Sequence, residues 1–214
     1  MLKPRIAVLV SGGGTNLQAL IDAKASGRLE SGVLALVVSS KAGVQALARA
    51  KTAGIETALV ERARFDSREA FELELLAILR EHRVDVIVLA GFLQILSAAF
   101  VARYPDRILN VHPSLIPAYC GKGFFGLKIH EAVLAAGETE TGATVHMVNE
   151  VPDGGRILMQ KTVPVLPGDT PESLQQRVME QAEWHLLPAA AELLCANIVK
   201  QSEARIVDGT AGTV

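Results

Sequence analysis

The chain has 214 residues, half of them hydrophobic and only 4% aromatic, so its apolar mass is Ala, Val, Leu and Ile, as suits one sizeable core with a buried parallel sheet. Lys and Arg (21) nearly balance Asp and Glu (23), and no basic stripe stands out, which argues against nucleic acid or anionic membrane as partners. Two cysteines, Cys120 and Cys195, make no disulfide framework and fit a cytoplasmic protein, and no apolar run is long enough for a signal segment or a membrane span.

Residues 5–11 (RIAVLVS) read as a buried strand stopped by Gly12, Gly13 and Gly14. A helix is expected from Asn16 to about Ala25, a strand over 33–39, a helix over 44–53 closed by Gly54, and a short strand over 56–60. Ser67 has the chemistry of an N-cap and opens a long helix carrying Phe71, Leu75 and Leu79. Residues 84–90 (VDVIVLA) are nearly all apolar and predict a central strand.

After residue 97 a short helix (97–104) and a strand (107–111) lead into a Pro/Gly-punctuated loop at 112–126 and a helix at 127–136. Two stretches, 142–149 and 156–165, predict a strand pair around Pro152, Asp153, Gly154 and Gly155. Residues 170–198 predict a long helical tract with a break or kink at Pro188, and the Gly/Thr-rich tail from about 203 is expected to be loose. The expected organisation is one domain over 1–200 followed by a tail over 201–214. Its fold class is α/β: a doubly wound, mostly parallel Rossmann-like sheet flanked by helices, with a C-terminal strand pair and long helix. Ligands of such sheets lie beyond the carboxyl ends of the strands, so segments 11–16, 39–40, 91–95 and 110–117 are expected to share one cleft.

The turn Ser11-Gly12-Gly13-Gly14-Thr15-Asn16 joins a strand to a helix, where free amides and the helix dipole favour a phosphate. The dinucleotide fingerprint is incomplete, because Leu17 occupies the third glycine position. Further on, Asn110 ends a strand and His112 follows two residues later, so both side chains share a face. An uncharged donor beside a group that titrates near neutrality suits acyl transfer to an amine. One stabilises the developing oxyanion while the other moves the proton. Asp153, in its Gly-rich turn, is the best placed acid to hold the histidine. Cys120 is assigned no role, since direct transfer needs no covalent intermediate. His82, His130 and His185 lack metal-ligand spacing, and no metal is expected.

Five ordered blocks carry a resemblance that no one of them carries alone. They are Val10 to Gln18 (VSGGGTNLQ), Phe65-Asp66-Ser67-Arg68, Leu89 to Leu96 (LAGFLQIL), Asn110 to Pro117 (NVHPSLIP), and Thr141 to His146 (TGATVH) leading to Asp153-Gly154-Gly155. Over about residues 5–190 the sequence resembles the folate-dependent formyltransferases. The resemblance implies transfer of a formyl group from 10-formyltetrahydrofolate, as co-substrate, to the amine of glycinamide ribonucleotide in purine synthesis. It implies that Gly14, Thr15 and Asn16 hold the phosphate and that Glu183 contacts the ribonucleotide. It places Arg68, Leu93, Gln94, Ile95, Leu96 and Asn110 against the folate, makes His112 the proton donor, and gives Asp153 the task of sustaining its charge. The loop Tyr119 to Gly126 resembles a longer-loop variant. The partners implied are small molecules, and the chain is expected to be a monomer or homodimer.

The nearest alternative is hydrolysis of 10-formyltetrahydrofolate by the same three residues. Its relatives carry an N-terminal regulatory domain, for which a first strand at residue 5 leaves no room. A methionyl-tRNA formyltransferase would want a C-terminal β-domain and a basic surface. A non-catalytic nucleotide-binding module would need the glycine turn but not His112.

Overall fold

Strands whose residues are apolar on both faces need cover on both sides, and this governs the architecture. The computed structural model describes residues 3–210, with side chains as far as Ala204. Among the described residues seven strands form one sheet: β1 (Arg5–Val10), β2 (Val33–Ser39), β3 (Glu56–Leu59), β4 (Val86–Leu89), β5 (Ile108–His112), β6 (Glu140–Met147) and β7 (Ile157–Pro164). Their order is β3-β2-β1-β4-β5-β6-β7. The pairs from β3 to β5 are parallel, whereas β5–β6 and β6–β7 are antiparallel. The strand order reverses between β1 and β4, which opens a crevice at their carboxyl ends.

The helices are α1 (Thr15–Ala25), α2 (Gln45–Thr52), α3 (Arg68–Glu81), α4 (Ala98–Val101), α5 (Leu127–Ala135), α6 (Pro171–Val178) and α7 (Trp184–Thr210). Alternate residues of β1 face opposite layers. Ile6, Val8 and Val10 pack with Leu17 and Leu20 of α1 and Leu187 and Ala191 of α7. Ala7 and Leu9 pack with Phe71, Leu75 and Leu79 of α3 and with Phe100 of α4. Ser67 caps α3 as expected, its hydroxyl accepting from the Ala70 amide.

Three expectations are corrected. First, the break in the C-terminal helical tract is not at Pro188: α7 runs through it, and the irregularity is a π-helical turn, Met179–Glu183, just before α7. Pro188 lies early in α7, where its missing N–H removes only the bond that Trp184 would accept. Second, the tail expected to be loose from about 203 is helical as far as Thr210, and the remainder of that expectation, 211–214, lies outside the described residues. Third, the short helix expected over 97–104 is confined to Ala98–Val101, because Arg103 and Tyr104 bond three residues back instead of four.

Gly14 shows how tightly the first turn is built. Its φ is +74°, and a Cβ there would lie 2.7 Å from the Ala46 Cβ on α2. Gly14→Ala is expected to lower stability by about 2 kcal/mol through backbone strain and overpacking. The measurement is the denaturant midpoint at unchanged m-value; an unmoved midpoint would mean that α2 gives way freely.

Candidate active site

The chain leaves β1 through Gly12 and Gly13, and Gly14, in the left-handed region, caps α1 with no side-chain bond. The first amides of α1 are therefore free to point at a ligand. Arg49 on α2 braces the turn from behind: Nε donates to the Gly13 carbonyl at 2.9 Å, and Nη1 donates to Gln18 Oε1 at 3.1 Å. Ser11 ties the turn to the next strand end, its hydroxyl accepting from the Leu93 amide at 3.0 Å. Asn16 and Glu183 are both buried and lie 2.5 Å apart, Nδ2 to Oε2.

Across the crevice, β5 presents Asn110 and His112 on one face. The antiparallel register sets His146 opposite Asn110 and Thr144 opposite His112. Asp153 reaches in from the β6–β7 connection with φ +55°. One carboxylate oxygen lies 3.5 Å from His112 Nδ1 and accepts from the Gly121 amide at 2.9 Å. The other lies 3.5 Å from His146 Nε2 and accepts from Asn110 Nδ2 at 3.3 Å. His112 Nε2 meets the Tyr119 carbonyl at 2.9 Å, so both ring nitrogens face acceptors and are satisfied together when both carry protons. His146 Nδ1 is held by the Met147 carbonyl at 2.9 Å, which turns Nε2 towards Asn110 Nδ2 at 3.1 Å.

Burial opposes ionisation of Asp153. The His146 bond, the charge of His112 and the Gly121 amide outweigh it and hold the carboxyl below its ordinary value. His130 on α5 is buried with neither ring nitrogen hydrogen-bonded, and burial, then the charge of His112, push it down to about 4. Burial, then the charge of Asp153, raises the Cys120 thiol, the reverse of what a nucleophile needs.

Asn110, His112, His146 and Asp153 line one cleft of about 840 Å³. Gly14, Thr15, Asn16 and Glu183 lie in its wall together with Asn110, His112 and Asp153. Segment 93–96 is there too, with Leu93 and Ile95 more than half exposed, an apolar wall open to a planar ligand. Ser39 and Ser40, expected in the cleft, do not line it. They back it instead: Ser40 Oγ pairs with Ser11 Oγ at 2.7 Å, and the Ser39 hydroxyl donates to the Lys41 carbonyl. Arg68 is not among the lining residues either; it opens α3 with a half-exposed side chain nearest Glu69. Among the described residues no group of three or more His, Cys, Asp or Glu side chains could hold a metal, and no helix is long and apolar enough to cross a membrane.

The profile of the family described as Formyl transferase matches residues 4–190. This chain belongs to the formyl transferase family. Phosphoribosylglycinamide formyltransferase of Escherichia coli (strain K12) is 44% identical over 176 residues, covering 82% of this chain and 80% of that protein. The crystal structure of phosphoribosylglycinamide formyltransferase from Brucella melitensis matches with a TM-score of 0.82 at 42% identity, covering 91% of this chain and 97% of that one. The trifunctional purine biosynthetic protein adenosine-3 of Drosophila pseudoobscura pseudoobscura is also 44% identical, over 93% of this chain. The trifunctional relatives are far longer, and the chain spans 14–19% of their length.

Sequence reasoning expects His146 to face the cleft or to pair locally and gives it no role in the chemistry of this formyl transferase site. It does both: it lines the cleft and its Nδ1 meets the Met147 carbonyl, and His146 and Thr144 share the face that an antiparallel pair sets against Asn110 and His112. The Tyr119 carbonyl and Gly121 amide are backbone groups and leave no sequence signal.

The depressed Asp153 carboxyl gives a pH-dependent prediction. Its stabilisation is present above the unfolded value near 3.9 and is lost as pH falls through the lower folded value. Asp153→Asn is expected to be less stable than the native chain at neutral pH, with the gap closing below about pH 4. Urea denaturation across pH checks this; a gap that persists at low pH would remove the ionised carboxylate as its source.

Proposed function

We propose that this protein transfers the formyl group of 10-formyltetrahydrofolate to the amine of N1-(5-phospho-D-ribosyl)glycinamide, releasing tetrahydrofolate and the N2-formyl product. The observation that carries this reading is the sharing of one cleft by an open glycine turn and a carboxylate-supported histidine beside an asparagine. The glycine turn takes the phosphate on the free amides of α1. The folate lies against Leu93, Gln94, Ile95 and Leu96, with its formyl group at Asn110 and His112.

The amine attacks the formyl carbon, and a bond from carbon to the acceptor nitrogen forms as negative charge grows on the formyl oxygen. The 3.3 Å bond from Asn110 to Asp153 is the longer of the two that its amide makes, so a formyl oxygen displaces it most cheaply. Breaking the bond to the folate nitrogen requires a proton there, and the proton lost by the amine requires a way out. His112, with Asp153 behind it, supplies the first and returns the second. With Nδ1 facing Asp153 at 3.5 Å, Nε2 is the nitrogen that exchanges the proton, and substrate takes the place of the Tyr119 carbonyl that Nε2 meets at 2.9 Å.

Purified protein mixed with 10-formyltetrahydrofolate is expected to release tetrahydrofolate only when the ribonucleotide is present; release indifferent to the amine would replace transfer by hydrolysis. For His112→Ala the expected turnover is about 10²- to 10⁴-fold lower. Ribonucleotide binding by calorimetry should be retained, because the glycine turn is untouched. Unchanged turnover would take His112 out of the mechanism.

A further inference from the structure

The Asn16–Glu183 pair has a geometry that its amide and carboxylate labels do not explain. Nδ2 of Asn16 and Oε2 of Glu183 are 2.5 Å apart, while an N–H···O bond runs from about 2.7 to 3.2 Å and an O–H···O bond from about 2.5 to 3.0 Å. The other end of the same amide, Oδ1, is buried with no partner. It belongs to the second residue of α1, where an anion is favoured and where a lone acceptor has the wrong polarity. Turning the amide over resolves both features. Oδ1 then accepts a proton carried by Glu183, and the NH₂ group takes the buried place that Oδ1 held, at the cleft wall that Asn16 lines.

The surroundings of Glu183 agree. It closes the π-helical turn Met179–Glu183, which brings it inward to 5% exposure without a paired cation among the described residues. The titratable groups that share its cleft are His112 on β5, His146 on β6, Glu150 and Asp153 on the β6–β7 connection, and Lys122 on the 119–126 loop. None of them is hydrogen-bonded to it. On its own turn Glu180 is bonded to Gln176, on α6 Arg177 is held by Asp169, and His185 of α7 and Asp22 of α1 line a different pocket. An unpaired carboxylate in such a place is neutralised more cheaply than it is buried. Burial pushes Glu183 up to about 7, against a partial offset from the Asn16 bond.

We infer that Glu183 stands in the free protein as a neutral carboxylic acid bonded to the Asn16 oxygen, and that its proton keeps the Asn16 amide turned to donate to a phosphate-bearing ligand at the glycine turn. Binding of that ligand is then linked to a proton on Glu183. An ionised Glu183 pulls the amide back and sets a negative charge beside an ester that is mostly dianionic above about pH 6. The inference rests on the functional reading above only for the identity of the natural ligand.

Two measurements test it. The first is infrared difference spectroscopy of the free protein, native against Glu183→Gln, and needs no substrate. A protonated-carboxyl band present at pH 6 and lost by pH 9 is expected only in the native chain; its absence at pH 6 overturns the inference whatever reaction the protein catalyses. The second is calorimetric binding of ribose 5-phosphate between pH 6.5 and 8.5. Native affinity should weaken by up to about tenfold per pH unit above 7, with proton uptake on binding. Glu183→Gln, which keeps shape and hydrogen-bonding capacity, should bind with no such slope. A native affinity that is flat over this range, or a slope that survives in Glu183→Gln, overturns the linkage. Failure of formyl transfer, with both results as expected, would overturn the functional reading alone.

Discussion

Asp153 enters the cleft on a turn and divides its two oxygens among His112, His146, Asn110 and the Gly121 amide. A carboxylate taken this far from water is tolerated only if donors surround it. Here its neighbours come from three pieces of chain: β5, β6 and the 119–126 loop. The demand of one buried charge therefore sets the ring position of His112, the amide position of Asn110 and the path of the loop. Its positive φ indicates that the turn accepts some backbone strain to deliver the charge.

The second end of the cleft follows the opposite rule. At the glycine turn nothing compensates the free amides of α1, and Arg49 reinforces the turn from outside instead of filling it. A site with donors fully committed at one end and uncommitted at the other is polarised before any ligand arrives. The uncommitted end attracts an anion, and the committed end has its reacting groups already oriented.

Much of this was legible in the sequence because it depends on local pattern. Apolar runs gave β1, β2 and β4, the Ser67 cap gave the start of α3, and alternation put Asn110 and His112 on one face. The turn at Pro152 to Gly155 announced Asp153. What was not legible depends on geometry between elements. Ser39 and Ser40 end a strand as expected, but β2 lies on the far side of β1, so its end backs the crevice without lining it. Glu183 faces inward through a π turn that no residue pattern marks, and Pro188 drew attention to the wrong place. Arg68 lies at a helix start whose distance from the cleft is a matter of packing.

The change from parallel to antiparallel pairing between β4 and β6 has a consequence for how the molecule assembles. Parallel neighbours must wait for a crossover, so the glycine turn takes its final form only when β4 arrives beside β1, far along the chain. The histidine, asparagine and aspartate belong to β5, β6 and their connections, an antiparallel stretch that closes over much shorter sequence distances. The reacting groups and the anion seat thus belong to portions of chain with different loop-closure costs. Lengthening the 119–126 loop or the β6–β7 turn alters the first portion and leaves the second intact, which makes this end of the molecule the one where a related chain can change its loops without losing the seat for its substrate.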